Sequence, residues 1–217
     1  HFGVSILFDT ITVNGSSVGN SIFTAKISPS GNVIWVKCVN TPSGNNDALG
    51  LCTDANSNIY VSGYFSGTII FANDTVYCFL YLDLFIAKYD MNGNELWVKS
   101  ERGDGFDYAN KLSADLAGNV YVTGFFNGSY QLFGNDSLVN VSQGSFDIFI
   151  AKYDASGNVM WAQSAGGINH DYGYGITTVS SGEVYITGTA SSPIIAFGST
   201  FLNNSNGSYP DMYVAKY

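Results

Sequence analysis

Aspartate is the residue whose repetition first points to chemistry. Asp47, Asp107 and Asp171 each stand at the start of a segment that we predict to be the innermost strand of a repeating unit. Carboxylates repeated around one channel mouth could hold a cation or a sugar. More often such residues accept hydrogen bonds from backbone amides within or between units, because a buried carboxylate without them costs several kcal/mol. Both alternatives stay open from the sequence.

Three hydroxyl residues form a second repeating pattern. Each follows an aspartate and precedes an aliphatic residue, in Asp9-Thr10-Ile11, Asp74-Thr75-Val76 and Asp136-Ser137-Leu138. We predict a hairpin tip at all three places, and an exposed tip can carry a bulky covalent group. The alternative is that the aspartate simply begins a turn. The corresponding stretch of the next unit, Gly198-Ser-Thr200, breaks the pattern, so we expect no modification there.

Catalytic and metal motifs are weak by comparison. Gly15-Ser-Ser-Val-Gly19 has the spelling of a nucleophile elbow, but no helix is predicted after it, and His170 has no evident triad partners. The loop that begins at Asp90 resembles a calcium loop only superficially, because its sixth position is not glycine. Neither a disulfide framework nor a zinc site fits the three cysteines, Cys38, Cys52 and Cys78. We therefore predict no enzyme activity, no metal and no cofactor.

Charge and composition limit the classes of partner that the chain is expected to bind. The net charge is −9 and only 8 residues are Lys or Arg, so we expect neither a nucleic-acid partner nor attraction to an anionic membrane surface. No apolar run is long enough for a membrane-spanning helix, and we predict no membrane insertion. Because the first residue is His1 and no signal peptide precedes it, we expect a piece of a longer protein.

The elements that position these residues repeat along the chain. Four segments align without gaps and start at residues 21, 83, 147 and 211, each ending in Ala-Lys, with the lysines at Lys26, Lys88, Lys152 and Lys216. All three tryptophans, Trp35, Trp97 and Trp161, follow at one repeat position. These lysines could pair with the recurring acids. A period above 60 residues with several turn signals indicates a blade-like unit of hairpins.

We predict an all-β fold: about three and a half blades of a larger β-propeller, each of roughly 62 residues, with four main strands and an extra hairpin. In one blade the strands run 107–115, 120–126, 147–153 and 159–164, from the inside outwards. The whole chain is one propeller region, divided into a partial unit 1–20, the repeats 21–82, 83–146 and 147–210, and a partial unit 211–217. Strands covered by neighbouring blades should be apolar or small on both faces.

The repeat resembles the bacterial SBBP-type β-propeller repeat. The resemblance rests on Asp-x-Phe-Ile-Ala-Lys-Tyr-Asp-x-x-Gly-Asn-x-x-Trp, then Asp-Tyr-x-x-x-Ile, then Gly-Asn-Val-Tyr-Val-Thr-Gly. It implies a large secreted or surface-attached protein of a Gram-negative bacterium that uses type IX secretion. The three Asp-hydroxyl triplets resemble the O-glycosylation acceptors of such bacteria, which makes Thr10, Thr75 and Ser137 candidate glycan sites.

The function expected from this resemblance is that of a non-catalytic scaffold or adhesin-like module. Its partners would be the rest of the parent chain, secretion or surface-attachment machinery, and surface glycans. The alternative is a carbohydrate-binding or polysaccharide-degrading propeller whose site lies partly in blades outside this chain. For that alternative, four aromatic residues could stack on sugars, although packing between blades would also explain them: Tyr64, Phe65, Phe125 and Phe126.

Overall fold

Strands are the only regular elements in the part of the chain that the structure, a computed structural model, describes: residues 5–15, 20–180, 182–204 and 209–217, with the backbone alone at Ser43. They are β1 (Ser5–Phe8), β2 (Ile11–Asn14), β3 (Ile22–Ile27), β4 (Val33–Ser43), β5 (Asn46–Thr53), β6 (Ile59–Phe65), β7 (Thr68–Ile70), β8 (Thr75–Tyr77), β9 (Asp83–Tyr89), β10 (Glu95–Glu101), β11 (Asp107–Ala114), β12 (Val120–Phe126), β13 (Tyr130–Phe133), β14 (Asp136–Val139), β15 (Asp147–Tyr153), β16 (Val159–Gly166), β17 (Asp171–Thr178), β18 (Val184–Ala190), β19 (Ile194–Phe197), β20 (Thr200–Asn203) and β21 (Asp211–Lys216). Those ranges contain no helix that could cross a membrane.

The main strands form four antiparallel sheets. Sheet A contains β3 and β4, sheet B β5, β6, β9 and β10, sheet C β11, β12, β15 and β16, and sheet D β17, β18 and β21. The order β11-β12-β15-β16 confirms the strand order predicted for one blade. The other strands form the extra hairpins that the sequence predicted, β1-β2, β7-β8, β13-β14 and β19-β20.

Successive sheets pack side by side. The first strand of sheet C, β11, lies against the first strands of both neighbours, β5 and β17. One hydrophobic core fills each of the junctions A/B, B/C and C/D. The third strands β9 and β15 are buried almost throughout, as expected for strands covered on both faces. These antiparallel sheets fit a β-propeller-like fold, and the number of blades stays a prediction.

The extra hairpins inserted into sheets B, C and D each extend the outer edge of the preceding sheet. Strand β7, whose hairpin is inserted into sheet B, pairs with β4 of sheet A. Strand β19, inserted into sheet D, pairs with β16 of sheet C. Strand β13 contacts the chain just after β10 in two ways. Gln131 forms a β-bridge with Gly103, and the Leu132 N–H donates to the Arg102 carbonyl at 2.9 Å. Each of these three hairpins therefore couples two sheets, whereas β1 and β2 pair only with each other in the described part of the chain.

An aromatic pair fixes every hairpin to its own unit. A phenylalanine at the end of the first hairpin strand, or directly after it, packs against an aromatic residue of the third main strand. The ring centroids are 4.8 to 5.9 Å apart in the four pairs Phe8–Phe23, Phe71–Phe85, Phe133–Phe149 and Phe197–Tyr213. Such pairs contribute about 0.5–1.5 kcal/mol beyond the area they bury.

The Asp-x-x-Gly-Asn motif is a turn that satisfies its own polar groups. Asp90 Oδ1 accepts hydrogen bonds from the N–H groups of Asn92 and Asn94 at 2.8 Å, and its Oδ2 accepts Asn94 Nδ2 at 2.8 Å. Gly93 supplies the positive φ of 76° that the turn requires. The same bonds recur at Asp54, Asp115 and Asp154. The turn interpretation of the Asp90 loop is therefore confirmed.

A carbonyl clamp ties the outer part of sheet B to sheet C, and that of sheet A to sheet B. Lys88 Nζ and Trp97 Nε1, on neighbouring strands of sheet B, both donate to the Ala155 carbonyl in the turn of sheet C, at 2.9 and 3.1 Å. Gly157 of that turn fits against the Trp97 ring, and a Cβ there would lie 3.0 Å from the indole. The A/B junction repeats the clamp with Lys26, Trp35 and Met91. This contact explains why the Ala-Lys, Gly-Asn and Trp motifs recur together.

The first prediction concerns the indole of this clamp. Replacing Trp97 by Phe keeps a ring but removes the hydrogen bond to Ala155, so the free energy of unfolding should fall by about 1 kcal/mol more than in the control. The control is Trp161→Phe, because Trp161 Nε1 donates no hydrogen bond within the described part of the chain while its ring meets Tyr121 much as Trp97 meets Tyr60. Urea unfolding checks both variants. Equal losses would contradict the clamp.

Candidate functional site

Of the three recurring acids predicted for the inner strands, only Asp107 and Asp171 occupy equivalent places in their sheets. Asp107 and Asp171 face the last residues of the second strands of their sheets, Phe126 and Ala190. In sheet B that place belongs to Asn46, opposite Phe65, whereas Asp47 lies one residue further along. The prediction that Asp47 is the third equivalent acid was therefore wrong. An asparagine has the same shape as an aspartate and keeps an acceptor oxygen, so residue type alone misplaced the register.

Each of the two true inner-strand acids is coupled to a second buried acid from the preceding sheet. Asp171 lies near Asp147, and Asp107 near Asp83, close enough for the charge of one to raise the pKa of the other, and all four are fully buried. Asp171 accepts the N–H groups of Ser191 and Ser192 at 2.9 and 3.0 Å and the Ser192 hydroxyl at 2.7 Å. These two acid pairs lie at the C/D and B/C junctions rather than around the opening of a channel.

Backbone packs tightly against these carboxyl groups. A Cβ added to Gly166 would lie 2.2 Å from Asp147 Oδ1, and one added to Gly103 would lie 2.5 Å from Asp107 Oδ2. With its amide oriented to satisfy both groups, Gln131 donates to both oxygens of Asp107 at 3.0 and 2.6 Å. In the described ranges no group of three or more His, Cys, Asp or Glu could hold a metal ion. The hydrogen-bonding alternative therefore describes Asp107 and Asp171.

Burial makes these acids weak. Burial, together with the charge of Asp171, raises the pKa of Asp147 to about 7, against the opposing effect of the Val141 amide, which donates to Oδ2 at 2.7 Å. Burial also raises the pKa of Asp171, Asp83 and, well above its ordinary value, Asp107.

The recurring lysines do not pair with these acids, so that hypothesis was wrong. Lys88 Nζ lies 3.9 Å from Asp54 Oδ2 and 5.0 Å from the centre of the Tyr60 ring. Lys152 has the same surroundings, 4.0 Å from Asp115 and 4.8 Å from the Tyr121 ring. The partners are the turn acids at the opposite ends of the strands, because Lys88 and Lys152 each follow their strand's starting acid by five residues. In sheet D, Val179 takes the place of the turn acid, and Lys216 is paired instead with Glu183 at the end of the same turn.

The three candidate glycan sites, Thr10, Thr75 and Ser137, are all exposed. Thr10 lies in the turn between β1 and β2, whereas Thr75 begins β8 and Ser137 is the second residue of β14, opposite Leu132. Only Thr10 is thus at a tip in the strict sense, because it follows the phenylalanine of its hairpin by two residues, whereas Thr75 and Ser137 follow theirs by four. The preceding acid has a structural role at one site, where Asp136 Oδ2 accepts the Ala162 N–H at 2.9 Å. Modification of these hydroxyls stays a prediction.

Half of the aromatic residues suggested for sugar stacking belong to the core. Phe65 and Phe126 are fully buried, so their exposure was wrongly predicted. Tyr64 and Phe125 are half-buried and belong to a continuous band of rings that crosses sheets B, C and D. Successive ring contacts link Tyr64, Tyr108, Phe125, Phe146 and Tyr172, and the Tyr172 ring contacts both His170 and Tyr174. Tyr174 and His170 form the exposed end of this band.

The remaining candidates from the sequence do not come together in a site within the described part of the chain. Four residues of the nucleophile-elbow string, 16–19, lie outside the described residues. His170 Nδ1 accepts the Phe146 N–H at 3.2 Å, so the imidazole has a structural contact that the sequence did not reveal. The three cysteines are free and half-buried, as expected for small filler residues.

The second prediction follows from the acid pair at the C/D junction. Because the pKa of Asp147 is raised to about 7 from an ordinary 3.8, its contribution to the free energy of unfolding is complete below about pH 4 and is lost as the pH rises through 7. Asp171→Asn keeps the acceptor for Ser191 and Ser192 but removes the like charge. At pH 8 this variant should be more stable than the wild type by about 1 kcal/mol, the equivalent of one pKa unit.

Urea unfolding at pH 4 and pH 8 measures this difference. The control is Asp154→Asn, because hydrogen bonds from Asn158 lower the pKa of Asp154 and its loss should destabilise the protein at pH 8. An Asp171→Asn variant that is no more stable than the wild type at pH 8 would contradict the account of the acid pair.

No protein-family model matches the chain. The chain is 32% identical over 146 residues to an uncharacterized WD repeat-containing protein of Acanthamoeba polyphaga mimivirus. The match covers 61% of this chain and 10% of the viral protein, so the chain spans about a tenth of the length of this relative. A WD repeat-containing relative and an all-β structure of several antiparallel sheets together fit a β-propeller repeat protein.

Proposed function

We propose that the chain is a non-catalytic interaction module of a larger secreted bacterial protein, located outside the cell or on the outer surface of a Gram-negative bacterium. One observation supports this most. The recurring lysines and tryptophans of sheets A and B are engaged in contacts with the next sheet, as in the clamp of Lys88 and Trp97 on Ala155, and the turn aspartates are engaged in bonds within their own turns. Residues that repeat for stability leave the exposed loops and hairpins free to vary and to bind.

The architecture suits a scaffold. Each sheet contacts chiefly its neighbours, through one core and one hairpin at every junction and a clamp at A/B and B/C, so the array presents loops at fixed separations along a rigid body. A propeller hosts many unrelated activities, and the fold alone does not choose among them. The WD repeat-containing relative supports the scaffold role, and the SBBP resemblance supports type IX export and attachment to the surface.

The third prediction tests export and modification together. In protein purified from its native host, glycopeptide mass spectrometry should find O-glycans on Thr10, Thr75 and Ser137, because all three hydroxyls are exposed and follow an aspartate. Thr200 is the control, since it is an exposed hydroxyl residue at the start of β20 in the next hairpin but follows a serine, and it should be bare. Proteolysis of intact cells should release the same glycopeptides. Bare peptides recovered only after cell lysis would contradict surface location and glycosylation.

Carbohydrate binding is the second candidate function, favoured by the exposed end of the aromatic band. Tyr172 and Tyr174 are stacked at 5.7 Å with an interplanar angle of 8°, and Tyr174 is 47% exposed. Tyr174 sits at a β-bulge of the innermost strand, a place where a side chain is turned out of the sheet.

The fourth prediction separates this candidate from the scaffold role. If the band binds sugars, Tyr174→Ala should abolish glycan-array signals while leaving the thermal unfolding temperature nearly unchanged, since the ring is half exposed. A matched control is Leu49→Ala, at the corresponding bulge of β5 in a place without stacked rings. No glycan signal for the wild type, or one insensitive to Tyr174→Ala, would remove this candidate.

A further inference from the structure

The segment of residues 77–81 differs from its counterparts in the other units. It reads Tyr-Cys-Phe-Leu-Tyr and connects the hairpin β7-β8 to the third strand of sheet B. Tyr77, Phe79 and Tyr81 are 65%, 63% and 63% exposed. No charged residue lies between Thr75 and Leu82 in a chain whose net charge is −9.

The exposure of this segment is normal for its position, but its composition is not. The equivalent connection in sheet C, residues 140–146, also has a neighbouring sheet on both sides and is exposed at Val141, Gln143 and Gly144, with Asn140 and Ser145 buried. Its sequence, Asn-Val-Ser-Gln-Gly-Ser-Phe, is mostly polar. The aromatic side chains of sheet B therefore occupy a place that the repeat leaves open to solvent. Exposed apolar patches of this kind mark interaction sites.

Hydrogen bonds hold this loop in one conformation. The Phe79 N–H donates to Asp83 Oδ2 at 2.8 Å, and the Cys78 N–H donates to the Gly67 carbonyl at 2.8 Å. Tyr81 adopts a φ of 54°, a left-handed conformation that is strained for a bulky side chain and is typical of functional positions. The aromatic rings of this loop are thus held in place before binding, so that a partner would not incur the entropy cost of ordering a mobile loop.

Two residues of the next connection extend the patch. The ring of Phe106 lies 5.2 Å from that of Tyr81, and the Asp107 N–H donates to the Leu82 carbonyl at 3.0 Å, which joins the two connections. Arg102, the single arginine of the chain, is exposed beside them. Burial raises the pKa of the Asp83 carboxyl, and the Phe79 amide and the Arg102 guanidinium oppose that rise, so Arg102 lies close to the base of the loop.

We propose that Tyr77, Phe79, Leu80, Tyr81, Phe106 and Arg102 form a docking surface, called here the aromatic loop patch, for an apolar segment of another protein that carries a carboxylate for Arg102. This rests on the proposed interaction function and names its surface. Tyrosine, phenylalanine and arginine are the residues enriched at protein interfaces and their hot spots. A carboxylate complements the one cation of the patch, because arginine binds it through two parallel hydrogen bonds.

Other occupants fit the patch less well. A glycan would require several hydrogen-bonding side chains, and residues 75–82 offer only a threonine, a thiol and two phenolic hydroxyls. An anionic membrane would be repelled by a net charge of −9, and so would a second copy of the chain. The chemistry that remains is apolar with a local negative charge, which a protein segment supplies.

The test uses a random 12-residue peptide library displayed on phage, selected on the full chain. Enriched peptides, resynthesised with a fluorescent label, should carry apolar residues with Asp or Glu at one end. Tyr81→Asn should weaken their binding at least tenfold without loss of stability, because asparagine tolerates the left-handed conformation. Arg102→Gln should weaken the acidic peptides at least tenfold, and their Glu→Gln versions should be insensitive to it. A graft of residues 140–146 in place of 78–82 should abolish binding.

Three results would overturn the patch. Peptides that bind the Tyr81→Asn variant as tightly as the wild type would place the interaction elsewhere and leave the scaffold function standing. Self-association in sedimentation equilibrium that Tyr81→Asn abolishes would make a second copy the occupant. Selection of no peptides at all would remove the patch and count against the interaction function too. The glycopeptide experiment reports on export independently of all three.

Discussion

The extra hairpin that passes from one sheet to the next is the constraint on which the rest of the structure depends. A four-stranded sheet with two apolar faces is not stable in water until both faces are covered. The hairpin satisfies this by covering a junction from its outer side, since its phenylalanine packs on its own sheet and its strand extends the preceding one. Neighbouring sheets are thereby held in register, and the cores and clamps between them can form.

Polar residues, like the hairpins, recur at equivalent places in successive units. The turn carbonyl at Ala155 receives two donors from the preceding sheet, and its turn is closed by Asp154 and Asn158. At the other end of the strands, Asp147 and Asp171 are both fully buried, and the charge of Asp171 helps burial to raise the pKa of Asp147. The A/B junction has Ser21 and Asn46 at these two places, so a neutral pair is compatible with the same packing. The acid pairs are thus a variable feature of a constant junction.

The sequence predicted the strands well and the contacts between units poorly. The strands at 120–126 and 147–153 were predicted to the residue, because local alternation and turn glycines determine them. The exchange of hairpins between sheets was not predicted, since a pairing partner in another unit leaves no local periodicity. Asp47 was misplaced by one residue, and Lys88 was given the wrong acid, because residue type does not report which end of a strand a side chain occupies. The aromatic loop of residues 77–81 emerged only when its exposure could be compared with that of its polar counterpart.

A disulfide placed across the hairpin exchange tests the central claim most directly. Asn40 on β4 and Ile70 on β7 are cross-strand partners, and the Cα atoms of such partners lie about 4.5–5.5 Å apart, within disulfide range. In a chain whose own cysteines are replaced by serine, Asn40→Cys with Ile70→Cys should form an intramolecular disulfide under mild oxidation. The control pairs Ile70→Cys with Lys99→Cys on β10, the outer strand of the hairpin's own sheet, and should stay reduced. A disulfide in the control but not between positions 40 and 70 would contradict the account.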